Sequence, residues 1–69
     1  MDPDGINQYD LVEIIQVPEK YLGMIDVGDV GVVVSAWFFP NTAYEVEFEV
    51  KQQRERLRVL LLQQQVGKE

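Results

Sequence analysis

VGVVVSAWFFPNTAYEVEFEVKQQRERLRVLLL, residues 30–62, reads as three consecutive antiparallel strands joined by two short turns. In its middle Tyr44, Val46, Phe48 and Val50 alternate with Glu45, Glu47 and Glu49, the period-two pattern of a half-buried strand. The next segment repeats the alternation with the opposite charge: Leu57, Val59 and Leu61 point one way, Arg54, Arg56 and Arg58 the other. A turn at Val50 to Gln53 sets Glu49 opposite Arg54, Glu47 opposite Arg56 and Glu45 opposite Arg58. It also sets Val46 opposite Leu57 and Tyr44 opposite Val59 on the inner face. One register satisfies both faces, and that register is the expectation.

Working backwards, the preceding strand offers Val32, Val34, Ala36 and Phe38 to the inner face and Val33, Ser35, Trp37 and Phe39 to the outer one. A tight loop at Pro40, Asn41 and Thr42, all good turn formers, pairs Val34 with Phe48 and Ala36 with Val46 inside. Outside it creates the rows Ser35, Glu47, Arg56, then Trp37, Glu45, Arg58, then Phe39, Ala43, Leu60. Two strands alone are marginal in water, whereas three sharing an apolar face can be stable. The meander is therefore the nucleus of the fold.

A chain of 69 residues has room for one domain and one core, and at this size only about 60% of the unfolded surface is buried. With no cysteine and no histidine, disulfides and Cys/His zinc sites are excluded, so stability must come from packing or association. No apolar run approaches the roughly 20 residues that cross a bilayer, and the opening MDPDGINQ is acidic and unlike a signal sequence. The expectation is a cytoplasmic protein without membrane partners. The formal net charge is −6; the Glu and Arg of the meander cancel, so the excess lies elsewhere and repels phosphate backbones.

Residues 1–8 read as a flexible N-terminal tail with nothing to bury; their Asp-x-Asp-Gly string lacks the spacing of a calcium loop. Tyr9 to Val17 reads as a first strand with Val12 and Ile14 inward and Glu13 outward, ended by Pro18. Residues 18–29 form an irregular loop in which Leu22, Met24, Ile25 and Val27 are too apolar for full solvation, so it folds back over one end of the barrel. Gly28 and Asp29 turn into the meander, and Gly31 marks a bulge or a close backbone approach. After Leu62, QQQVGKE reads as one helical turn followed by a short strand at Val66. The resulting domain spans residues 9–66, with a C-terminal tail at 67–69. Its fold class is all-β, a five-stranded SH3-like small barrel with Val12, Ile14, Val32, Val34, Ala36, Tyr44, Val46, Phe48, Leu57, Val59 and Leu61 inside.

The stretches YDLVEII, PEKYLGMIDVGDVGVVV and AYEVEFE, with the Leu-rich strand after them, resemble the small bacterial family called domain of unknown function 4926. Its members look like stand-alone SH3-type barrels. The resemblance covers roughly residues 9–66 and is best at Gly28, Asp29, Val30 and Gly31 and at Tyr44 to Phe48. More loosely, Gly28 to Gly31 resemble the Gly-Asp-x-Val turn of KOW modules. The family implies a fold and no known activity. The hairpin WFFPNT departs from it in being longer and far more aromatic.

Catalysis is poorly served: Ser35 is the only serine and Thr42 the only threonine, and no histidine or cysteine can pair with either. The expectation is no enzyme, no cofactor, no metal and no small-molecule substrate. Glu45, Glu47 and Glu49 could be imagined as an acid/base or metal cluster, but arginines facing them make a solvated charge ladder the better reading. The arginines with Trp37 sketch the alternative, a KOW-like nucleic-acid-associated module. The opposing glutamates and a sequence pI of about 4.4 weigh against nucleic acid. The unusual surface is apolar: Trp37, Phe39 and Pro40 with Leu60 and Leu62 form one outer patch if the registers hold, and exposed aromatic clusters mark interfaces. The reading is a small acidic protein-interaction module that binds a partner protein, of the kind of a basic toxin or an enzyme subunit, or itself.

Overall fold

The computed structural model describes residues 5–50 and 55–69, the side chains of Val50 and Glu55 excepted. Five strands form, β1 Leu11–Ile14, β2 Val30–Trp37, β3 Ala43–Val50, β4 Glu55–Leu62 and β5 Val66–Lys68, with single 3-10 turns at Glu19–Tyr21 and Gln63–Gln65. They make one antiparallel sheet in the order β4-β3-β2-β1-β5. The all-β, five-stranded reading holds. Hydrogen bonding does not close the sheet, and β4 and β5 are its two edges. Side chains cover half of the β4 edge: Leu60 N–H donates to Tyr21 Oη at 3.4 Å and Leu62 N–H to Gln65 Oε1 at 2.8 Å. An edge covered in this way is withdrawn from pairing with other chains.

The β3–β4 ladder differs from the expected one by a slide of two residues. Tyr44 faces Leu61, Val46 faces Val59 and Phe48 faces Leu57, while Glu47 faces Arg58 and Glu49 faces Arg56. A slide of two keeps every side chain on its face, so the inner set of both strands stands and the partners change. The reason lies in the relative worth of the faces. The expected register leaves Leu61 opposite the polar Thr42; the observed one stacks a third apolar pair in the core, at about 1.5–3 kcal/mol per buried side chain. It forgoes one solvated Glu–Arg pair, worth about 0.2–1 kcal/mol. Core burial wins. The expected Glu49–Arg54 pair lies outside the described residues.

In β2 the expected faces are wrong over the first half of the strand. Val33 is fully buried opposite Val46, and Val32, expected inside, stands half-exposed beside Glu47. A register shift between Val33 and Ser35 then inserts Val34 as an extra residue, after which Ala36 packs against the core and Trp37 faces out as expected. Val34, expected inside, is therefore the bulge residue. Its carbonyl accepts Gln8 Nε2–H at 2.9 Å, a side chain standing in for a ladder partner. Gly31 is the close approach and not the bulge: a Cβ there would lie 2.7 Å from Phe48 Cε1 and from Val46 Cγ1, and 2.8 Å from the Glu47 carbonyl oxygen. Absence of a side chain at Gly31 lets Phe48 and Val46 fill that part of the core.

The core consists of Ile6, Val12, Ile14, Ile25, Val33, Tyr44, Val46, Phe48, Val59, Leu61 and Val66, with Val17, Tyr21, Ala36 and Leu57 packed at its margin. Val12, Ile14 and the β3 and β4 members are as expected. Ile6 corrects the reading that residues 1–8 carry nothing to bury, for its side chain is 1% exposed. Strand β1 is shorter than Tyr9 to Val17. Tyr9 sits at φ 75°, outside the extended region, and beyond Ile14 the chain leaves β2, with Ile15 N–H donating to the Gln65 carbonyl. Of the four apolar loop residues expected to fold back, Ile25 goes in, beside the partly buried Tyr21, while Leu22, Met24 and Val27 stay exposed.

Candidate interaction surface

Two ladders build the outer face near the β2–β3 hairpin. Trp37 pairs with Ala43 and Ala43 with Leu62, so one row runs Trp37, Ala43, Leu62; the next runs Ser35, Glu45, Leu60. Ala43 ends in a methyl group between two large neighbours, so the first row sags at its centre. The result is a shallow groove of about 390 Å³ lined by Trp37, Phe39, Pro40, Asn41, Ala43, Leu60 and Leu62. All five residues expected in the patch line it. They do so although both registers moved: β2 lies two residues farther toward the β2–β3 hairpin along β3 and β4 two residues farther from it, so the expected Phe39, Ala43, Leu60 row is replaced by the equally apolar Trp37, Ala43, Leu62. Asn41 and Ala43 are additions, and the signal for Ala43 was its small size in an otherwise bulky row.

Exposure of the patch is high. Phe39 is 89% exposed and Trp37, Leu60 and Leu62 are between 42% and 47%. Among the described residues, neither 5–8 nor the long loop covers them, and they are not core. The two phenylalanines of the hairpin part company: Phe38, 51% exposed, lays one side against the buried Tyr44 ring edge-on, at 6.5 Å and 81°, and so ties the hairpin to the core. Phe39, after which the chain passes through a cis bond to Pro40, projects into solvent. One ring holds the hairpin and the other is left for contact.

Farther along the same face the charges interact. Arg58 Nε–H donates to Glu47 Oε2 at 2.9 Å and Arg56 Nη1–H to Glu47 Oε1 at 3.1 Å. Both arginines thus converge on Glu47, whose side chain is 15% exposed. Glu45 lies 3.9 Å from Arg58 Nη1, and its directly facing neighbour is Leu60. The one-to-one ladder is corrected to a fork on Glu47, again because of the two-residue slide.

Two other depressions are more polar. One of about 480 Å³ is lined by Gly28, Asp29, Val30, Phe48 and Glu49 at the far end of β3. Another of about 290 Å³ lies over Leu11, Val30, Val32, Glu47 and Arg56. Among the described residues no three acidic side chains gather as metal ligands would, and no helix is long and apolar enough to cross a membrane. No family model matches the chain, and neither does a curated protein or a solved structure.

Proposed function

We propose that this chain is a non-catalytic protein-interaction module of SH3-like barrel type, related to the domain of unknown function 4926 family, that engages a partner protein through the Trp37–Leu62 groove. The observation that carries the reading is the groove itself: an exposed aromatic hairpin beside two exposed leucines, on a rigid three-stranded support, with the apolar wall continuous from Phe39 to Leu60. Large exposed aromatics concentrate binding free energy when a partner desolvates them. Barrel type is supported by the order of elements, a strand, a long loop, a meander, one 3-10 turn and a last strand, and by the Tyr21 and Gln65 side chains that reach the free edge of β4. The non-catalytic reading rests on composition, with no histidine or cysteine and single Ser and Thr residues. A net charge of −6 suits a basic protein, such as a toxin or an enzyme subunit, met in the cytoplasm.

The test is paired light scattering and co-purification of the wild type and Trp37→Ser, with circular dichroism to confirm folding. A folded variant that loses a partner retained by the wild type supports the reading; so does a wild-type dimer that the substitution dissociates. If the wild type is monomeric and the folded variant retains the same partners at the same yield, the groove is not the interaction surface.

A further inference from the structure

The rim of the groove carries a carboxylate that the protein itself uses incompletely. Glu45 stands on β3 between Ser35 and Leu60, one row from the Trp37, Ala43, Leu62 row. Arg56 and Arg58 both spend their short hydrogen bonds on Glu47, at 3.1 and 2.9 Å, which leaves Arg58 Nη1 3.9 Å from Glu45 Oε1. Among the described residues no hydrogen bond reaches the Glu45 carboxylate, and its side chain is 34% exposed. A carboxylate has acceptor capacity for several donors. Glu45 itself does not line the groove, but its facing neighbour Leu60 does, so a ligand that covers Leu60 comes beside the carboxylate, where a charge-assisted bond gains strength as water leaves.

Resting on the interaction reading above, we propose that the groove and Glu45 together form a docking site for an extended segment of a basic partner protein. An apolar side chain of the segment seats among Trp37, Phe39 and Leu60, and a Lys or Arg two residues along pairs with Glu45. The spacing follows from the sheet: Ala43 and Glu45 are two residues apart on one strand, roughly 6.7 Å at strand rise, and an extended ligand repeats that spacing on one of its own faces. Charge selects the occupant. A second copy of this chain brings another net charge of −6 and, across a two-fold axis, the same carboxylate, so like charges meet. A cationic segment meets the attractive net charge of −6 at long range and, on arrival, a carboxylate whose own cation, Arg58, stands 3.9 Å away.

The test uses the full chain and its single tryptophan, Trp37, as an intrinsic fluorescence probe. A random heptapeptide library is selected on the immobilised wild type, and an enriched peptide is synthesised with its basic residue kept or replaced by norleucine. Enriched sequences are expected to carry an apolar residue and a Lys or Arg two positions apart. The norleucine replacement is expected to weaken binding to the wild type about fivefold, as loss of a partly exposed ion pair predicts, and to leave binding to Glu45→Gln within about twofold. Leu60→Ser, folded by circular dichroism, is expected to lose both peptides. Enriched peptides without a basic residue, or an equal norleucine effect in the wild type and Glu45→Gln, overturn the role of Glu45 and leave the interaction reading standing. A groove-mediated dimer in light scattering overturns the choice of occupant. If no peptide is enriched, or if Leu60→Ser binds as the wild type does, the docking site itself is wrong.

Discussion

The two faces of the β3–β4 hairpin are made by alternate residues of the same two eight-residue strands, yet they obey different rules. Inside, Tyr44, Val46, Val59 and Leu61 are all at most 1% exposed and interlock with residues from every other strand. Outside, Glu45, Glu47, Arg56, Arg58, Leu60 and Leu62 touch solvent, and their interactions hold little of the fold. The inner face decides the register and the outer face accepts it, as the slide of two residues shows. A surface freed from structural duty in this way can carry a binding function at small cost in stability.

The sharpest way to break this contrast is to remove inner packing from a segment outside the hairpin. Ile6 lies before β1, yet its side chain is 1% exposed and belongs to the same core cluster as Val59 and Leu61. Ile6→Ala is expected to destabilise the protein by about 2–5 kcal/mol in chemical denaturation, as deletion of a buried aliphatic side chain does. In a domain this small, that is a large fraction of the total stability. A loss below about 1 kcal/mol would show that the sheet is held by the meander alone.

What could be read from the sequence follows the same division. β3 alternates cleanly between apolar and acidic residues, and its inner residues were identified without error. β2, VGVVVSAW, is apolar on both faces, so no period-two signal marks which Val goes in, and a bulge at Val34 costs the pattern nothing visible. Pairing partners are less legible for a related reason. Charge complementarity and apolar stacking agree on a face but not on an offset, and the stronger of the two, stacking, sets it. Ile6 could not be found because a lone apolar residue among Asp, Gly and Asn has no periodic neighbours; its burial depends on tertiary contacts. The groove is legible all the same, since Trp37, Leu60 and Leu62 alternate onto the outer face at the ends of β2 and β4, and an offset of two residues in each ladder keeps them on that face.

Intermediate effects are expected on the outer face, and they sharpen the contrast by grading it. Glu47→Gln removes the acceptor of two arginines at 2.9 and 3.1 Å, whereas Glu45→Gln removes an ion pair of 3.9 Å. With each solvated pair worth about 0.2–1 kcal/mol, Glu47→Gln is expected to cost about 0.5–2 kcal/mol and Glu45→Gln less than about 0.5 kcal/mol. The Glu47 effect should shrink as salt rises, because partly exposed charges are screened. Denaturation midpoints of the two variants at low and high ionic strength check both statements. Equal losses would mean that the arginines are shared evenly and that the fork on Glu47 does not persist in solution.

The smallest effect is expected where the side chain is largest. Phe39 is 89% exposed, so its ring has little packing to lose, and Phe39→Ser is expected to change stability by no more than about 0.5 kcal/mol. Phe38, one residue earlier, anchors the hairpin against Tyr44, so the turn has its own support without Phe39. An exposed aromatic ring that lines a markedly apolar groove is difficult to explain by folding alone, since a polar residue would serve that loop better in water. Thermal denaturation of Phe39→Ser beside the wild type decides the point. A drop of more than about 1 kcal/mol would assign the ring a structural role and weaken the case for the groove. An unchanged transition, together with lost binding, would place Phe39 wholly on the functional side of the division between the faces.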